Sequence, residues 1–376
     1  MDISLSDEQQ LIADSAATFL AEASAMPAVR AASESGHGID RALWRGIAEL
    51  GWCGVHLPEA VGGLGLGMVE LVLLQEQLGR RLSCVPFFDS VALAASVLRE
   101  LPESAATRDW LPRLADGQTI AALALPTEKD ATAQAIATED GWLLSGEWPL
   151  VGSAGVADLL LLPALAASGE ALLFAVPADM VGVQVRPLET LDATRGTAAV
   201  RAGALRLLAS ACVGQGLAVS LALERSRCLA AIALAAEQVG VAQQCLDLTL
   251  AYAAQRSQFD RPIASFQAVK HRCAQMLVML EGARSAVYGA ACMADTTPDA
   301  ATLLFYAAQA RVAASEAAQF CAQEAIQLHG GVGFTWEFDP HLYFRRAQAA
   351  SQRLGPLSWW LEQVAAQLFN APEDAP

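Results

Sequence analysis

The chain lacks several features that would direct it to whole classes of function. Its eight cysteines, at 53, 84, 212, 228, 245, 273, 292 and 321, include no C-x-x-C pair. Neither a zinc site nor a redox dithiol is signalled, and no metal is expected. Most of them lie in apolar helical text and read as buried free thiols. That suits a reducing cytosol, so the expected location is cytoplasmic. Positive charge is scarce: 24 Lys and Arg stand against 40 Asp and Glu, a formal net charge of −16. Nucleic acid needs a basic face, which argues against it as the main partner. No apolar run of about 18 residues is free of charges and helix breakers, so no membrane span is expected. The opening MDISLSDEQQ is acidic and polar, unlike a secretory signal. No internal repeat of roughly 20–50 residues is visible. One absence is local: no acidic residue occurs between Asp339 and Glu362, where Arg345, Arg346, Arg353 and the apolar LGPLSWW fill the text.

What is present describes a folded, helix-rich protein. The 376 residues exceed a comfortable single core and imply two or three domains. Hydrophobic residues make up 54% and charged residues 17%, which fits much buried helix or large interfaces. Residues 1–118 read as an α-helical domain. Ser6 and Gln9 form a capping box, and Leu11, Ile12, Ala16, Phe19 and Leu20 share a helical face. A second helix is expected near Asp40–Leu50. MVELVLLQEQLGR reads as a helix with its polar positions outward. From residue 119 to 210, short runs such as GWLLSGEWPL, DLLLLPAL and ALLFAVPA are broken by Gly, Pro, Asp or Ser. They read as a central antiparallel β sandwich or barrel. Residues 211–376 return to helix and read as a C-terminal α-helical bundle. The order is α, β, α: an α+β multidomain fold.

Three segments carry possible chemistry. HLPEAVGGLGLG (residues 56–67) satisfies G-x-G-x-x-G in no register and by itself reads as a turn. QRSQFDRPIASFQAVKH (255–271) lies between two helices, with Arg256 and Arg261 flanking an aromatic. Guanidinium groups beside helix N-terminal amides can hold an anion; a capped turn with solvated arginines is the structural alternative. QLHGGVGFTWEFDPHLYFRRA (327–347) offers Gly330, Gly331 and Gly333 for close backbone approach to a ligand, or a helix C-terminus followed by a tight turn.

Taken together and in order, these segments resemble the acyl-CoA dehydrogenase family over nearly the whole chain. HLPEAVGGLGLG looks like its P-E-x-x-G-G-x-G-x-G loop, RSQFDRPIASFQ like its R-x-x-F-G-x-x-I-x-x-x-Q segment with Asp260 in place of glycine, and QLHGGVGF like its Q-x-x-G-G-x-G-F segment. GWLLSGEWPLVGSAGVADLLLL matches its mid-domain hairpin in position and shape. The resemblance implies FAD as cofactor, an acyl-CoA substrate dehydrogenated between its α and β carbons, electron-transferring flavoprotein as acceptor, and an oligomer with shared cofactor sites. By matching positions, Arg256 and Phe259 would meet the diphosphate and adenosine of a neighbouring subunit's FAD. Gln267 would support the flavin region, and Gln327, Gly330 and Gly331 would cradle the same neighbouring cofactor. In the β domain, Leu125–Thr127 and Val151–Ser153 would edge the isoalloxazine.

The departures from the family pattern concern the base. The glutamate that commonly precedes a glycine is replaced by Leu354, before Gly355; the alternative base position holds Ala230, followed by Ala231. The tryptophan and threonine expected beside the flavin correspond to Leu150 and Gly152. Glu237, in ALAAEQVG, is the catalytic candidate, since a carboxylate among alanine and leucine has a raised pKa. A glutamate paired with an arginine at a helix interface is the other reading of the same residue. Glu224 is expected to pair with Arg225 or Arg227 at the surface, and His329 and Glu337 are expected to be scaffold. The pattern is similar to members acting on bulky, steroid-type CoA esters. Some of those assemble from two different subunits of which one carries the base. Two expectations follow: FAD-dependent dehydrogenation of a bulky acyl-CoA, in a homo-oligomer with Glu237 as base, or a base-less partner subunit that completes a paralogue's FAD site in a hetero-oligomer.

Overall fold

A computed structural model describes residues 4–36, 38–125, 133–297 and 299–369. The chain forms two compact units. One consists of residues 26–67 and 84–230, the other of 1–25, 68–83 and 231–376.

The first unit contains α2 (Met26–Glu34), α3 (Arg41–Glu49), a π-helical turn at Phe88–Ala95 continued by α5 (Ser96–Glu100), α6 (Ala105–Ala115), and the β sheet. Asp40 caps α3 by accepting from the N–H groups of Ala42 and Leu43, as its place before an amphipathic run requires. The strands are β1 (Ala121–Leu123), β2 (Gln134–Thr138), β3 (Gly141–Gly152), β4 (Leu159–Ala166), β5 (Ala171–Pro177), β6 (Val183–Pro187), β7 (Thr197–Leu208) and β8 (Cys212–Gln215). Their order is β6-β7-β3-β2-β4-β5-β8, with β1 joining β4 in parallel. The neighbouring pairs along that order are antiparallel, apart from β2 and β4. The long β3–β7 pair shifts register between Leu144 and Gly146 and again between Trp148 and Val151. Such bulges bend a strand and re-aim its side chains. Trp148, Leu160, Leu162, Leu172, Phe174 and Val200 form part of its core.

The second unit is helical: α1 (Asp7–Ala23), α4 (Met68–Arg80), the later part of α7 (Leu217–Gln255), α8 (Gln267–Thr296), α9 (Ala300–His329), α10 (Pro340–Gln352) and α11 (Leu357–Phe369). The Ser6–Gln9 capping box is present, with both reciprocal hydrogen bonds. Leu11, assigned to the inward face, is instead 70% exposed, while Ala16 and Leu20 are buried. In α7, residues 230–236 are fully buried on every side. A helix apolar all round belongs at the centre of a bundle.

Glycines set how closely α4 meets α7. A Cβ on Gly79 would lie 2.2 Å from the Glu237 carbonyl oxygen, and one on Gly240 would lie 1.9 Å from the Glu76 carbonyl oxygen. This mutual approach brings Gln75 and Glu76 against α7. Both side chains are buried, at 2% and 5% exposure, opposite to the outward placement expected of α4's polar positions.

Candidate functional site

The helical unit carries two polar regions of opposite character. The first is closed. Glu237 is 2% exposed; its Oε1 accepts from an Arg346 Nη at 3.3 Å, and its Oε2 accepts from the Gln75 amide at 2.9 Å. Arg346 is equally buried. Glu237 is therefore not a lone carboxylate among alanines. It has the arginine partner of its structural reading, contributed from 109 residues away. Beside it, fully buried Arg311 from α9 donates to Gln238 Oε1 at 2.6 Å, to Ser315 Oγ, and to the carbonyls of Ala350 (2.6 Å) and Arg353 (3.1 Å). Burial, and then the nearby Arg353 charge, lower its pKa to about 10, while Glu237 opposes the shift. Its two carbonyl bonds tie down the end of α10, where the chain turns through Leu354 (φ 61°) and Gly355 (φ 103°). The left-handed region is sterically costly for leucine and easy for glycine.

A second buried carboxylate, Glu76, accepts from Arg284 at 3.2 Å and from the Tyr288 hydroxyl at 2.9 Å. Burial raises its pKa, against the pull of Arg284 and Tyr288. Sequence reading did not single out Gln75, Glu76 or Arg311. One signal was available for Arg311: a single arginine in the alanine-rich AAQARVAASEAAQF, one turn before Ser315.

The second region is open. Arg256 directly follows α7 and its side chain is exposed, with no partner among the described residues. A two-residue turn follows, with Phe259 (φ 52°) and Asp260 (φ 60°) both left-handed, between Gln258 and Arg261 of a short hairpin. Such turns favour Gly, Asn or Asp, so Asp260 is a workable replacement for the family's glycine. Phe259 is 85% exposed. Gln267 opens α8 and Gln327 lies in the last turn of α9; both are exposed. At Gly330 (φ 66°) and Gly331, an added Cβ would find nothing within 4 Å. Tyr252, one turn before Arg256, stacks on His329, just before Gly330, with ring centroids 4.3 Å apart. The structure thus brings the Arg256 and Gly330 segments together. His329 is buried, as a scaffold residue is, and Glu337 is exposed.

In the sheet-containing unit, Leu125 follows β1 and is partly buried, while Thr127 lies outside the described residues. Val151 is buried and registers with Ala198. Ser153, at φ 55°, donates its N–H to the Gly196 carbonyl at 2.9 Å and its hydroxyl to Asp89 at 2.6 Å. Leu150 is 64% exposed, and Ala230 is fully buried. Arg225 pairs with Glu100 at 3.1 Å rather than with Glu224, because β-sheet-unit helix α5 brings that carboxylate within reach.

Comparison with known proteins decides the family. Residues 6–118 match the acyl-CoA dehydrogenase N-terminal domain and 214–369 the C-terminal domain. The chain belongs to the acyl-CoA dehydrogenase family. This family member is 35% identical to the acyl-CoA dehydrogenase IpdE2 of Mycobacterium tuberculosis, over 97% of this chain and 99% of that protein. It is also similar to the ChsE4-ChsE5 complex from Mycobacterium tuberculosis, at 30% identity and a TM-score of 0.90, covering 99% of this chain and 100% of that chain. A variant of the Tcur3481-Tcur3483 steroid ACAD matches at 31% identity and TM-score 0.85, covering 96% and 98%.

For an acyl-CoA dehydrogenase, FAD is the implied cofactor, and the two units fit it unequally. The open region of the helical unit offers an unpartnered guanidinium, two exposed amides and uncrowded glycine backbone, a donor set suited to a diphosphate. At the β3 end, both Ser153 donors are already used within the unit, and Leu150 and Gly152 bring no side-chain donor. No described helix is long and apolar enough to cross a membrane.

Proposed function

We propose that this chain is the base-less subunit of a hetero-oligomeric, FAD-dependent acyl-CoA dehydrogenase acting on a bulky, steroid-type CoA ester. The observation that carries this reading is the state of the candidate bases. Leu354 and Ala230 cannot accept a proton, and both Glu237 oxygens are engaged in a buried pair. Removing an α proton needs a base within hydrogen-bond reach of it. The base would therefore come from a paralogue.

What this chain supplies is binding. Arg256 and Phe259 would meet the diphosphate and adenosine of the neighbour's FAD, with Gln327, Gly330 and Gly331 cradling the same region and Gln267 supporting it. Leu125, Thr127, Val151 and Ser153 would form a weaker edge at this chain's own β domain. FAD, when bound, accepts the β hydrogen of the substrate as hydride. Polarisation of the thioester oxygen, which acidifies the α carbon, would fall to donors in the paralogue's site. The names of the ChsE4-ChsE5 and Tcur3481-Tcur3483 relatives, each a pair of chains, support the assembly, and the second supports the steroid class. Electron-transferring flavoprotein is the proposed acceptor. The cytoplasm is the proposed location, in keeping with eight free thiols.

Co-expression with the paralogue, followed by native mass measurement, tests the reading. A stable mixed complex is expected. A homogeneous oligomer of this chain, yellow and active alone, contradicts it and returns Glu237 to candidacy. In that case Glu237→Gln should lower turnover by roughly 10²–10⁴.

A further inference from the structure

The open region is assembled from two distant pieces of sequence, and an aromatic cluster joins them. Tyr252 and His329 stack at 4.3 Å with their rings 22° apart. Phe338 stands edge-on to both, at 6.1 Å from Tyr252 and 6.2 Å from His329. The imidazole is fixed in turn: its Nδ1 lies 2.6 Å from the Ala325 carbonyl oxygen. A carbonyl only accepts, so Nδ1 carries the hydrogen. Each ring lies close in sequence to an exposed residue of the open region, Tyr252 one turn before Arg256 and His329 directly before Gly330. The Arg256 N–H donates to the Tyr252 carbonyl at 2.9 Å, and His329 precedes Gly330, whose N–H closes the last turn of α9.

We infer that Tyr252 and His329 are a positioning pair, which holds the Arg256 guanidinium and the Gly330–Gly331 backbone in one arrangement for the anionic diphosphate of a neighbouring chain's dinucleotide. The inference rests on the proposed sharing of the cofactor. The physical case is preorganisation. An exposed arginine side chain and glycine backbone have more conformational freedom to lose than other groups, and ordering them on binding costs affinity. A rigid stack beneath both roots removes part of that cost before the ligand arrives. Neither ring needs to touch the ligand.

The test is FAD titration of the flavin-stripped mixed complex carrying variants of this chain. Assembly is read first: if the wild-type chains do not associate, the subunit reading fails, and the same titrations are run on the self-assembled oligomer. Tyr252→Leu and His329→Leu are expected to weaken FAD binding about 3- to 10-fold, the scale of one aromatic pair. Melting temperature should stay within about 2 °C, on the scale of a small stability change. Tyr252→Phe, which keeps the ring, should restore affinity. His329→Gln, which keeps a donor toward Ala325 but loses the ring, should behave like the leucine variant. In an Arg256→Gln background, Tyr252→Leu should cost less than in the wild type, because one of the two groups the pair positions is already gone. Hydrogen exchange should rise at residues 329–334 and not along the rest of α9. Unchanged FAD affinity in a folded Tyr252→Leu complex overturns the inference. So does a loss that Tyr252→Phe fails to restore, or one fully additive with Arg256→Gln.

Discussion

The closed cluster around Glu237 and the open end around Arg256 lie in one helical unit and use the same residue types, yet they do opposite things. In the closed cluster each charge meets a partner inside the protein: Glu237 with Arg346 and Gln75, Arg311 with Gln238 and two carbonyls. At the open end, Arg256 has no partner among the described residues, and Gly330 and Gly331 face open space. Burial makes the difference. A buried charge without a partner is costly, so the interior completes its own pairs. A solvated charge carries no such cost and stays available. An acidic side chain therefore need not be a base, nor an exposed arginine idle.

Breaking the closed cluster should have the largest effect. Glu237→Leu leaves Arg346 buried without its carboxylate, and about 3–5 kcal/mol of stability should be lost. Urea unfolding measures it, and adding Arg346→Met should recover most of the loss. A loss under about 1 kcal/mol would mean the pair is not closed as described.

The same contrast has a pH signature in the sheet-containing unit, where the interior holds a histidine. Burial, with Arg99 adding, lowers the His56 pKa to about 3. Ser96 donates its hydroxyl to the Ala92 carbonyl, so His56 Nε2 donates to Ser96 Oγ at 3.1 Å. The folded pKa lies below the unfolded value near 6.5, so the unfolded state binds the extra proton. The stabilisation is present above about pH 6.5 and is lost as pH falls toward about 3, by at most ~1.4 kcal/mol per pH unit. Denaturation between pH 7 and 5 should show a steeper decline in the wild type than in His56→Gln.

At the open end, Arg256→Gln should spare stability to within about 0.5 kcal/mol. It should weaken FAD binding by the mixed complex by roughly tenfold or more, as expected for charged hydrogen bonds. A fall in melting temperature without a change in affinity would erase the contrast. The smallest expected effect sharpens it most: Leu354→Glu in the isolated chain should give no turnover, because the β3 end still lacks free side-chain donors. Turnover above background would show that only the base was missing.

Much of this fold was legible in the sequence because it rests on local signals. Periodicity marked most of the helices and the strand block, Ser6 and Gln9 announced a capping box, and three segments in order, two of them glycine-bearing, pointed to the family. The interior of the bundle was not legible in the same way. In a helix buried all round, such as 230–236 of α7, periodicity no longer distinguishes faces. Nothing local says that Gln75 and Glu76 turn inward; that follows from Gly79 and Gly240 meeting the opposite backbone. Glu237 could be seen as unusual, but its partner lies 109 residues away. The open end was easier to place, since its donors sit in two short segments, each of which could be recognised without knowing its partner.

The most direct measurement is the flavin content and turnover of this chain purified alone and purified with its paralogue. The account expects the isolated chain to be colourless and inactive, and the mixed complex to be yellow, active on a bulky CoA ester, and stripped of flavin more readily when this chain carries Arg256→Gln. A yellow, catalytically competent oligomer of this chain alone would contradict it.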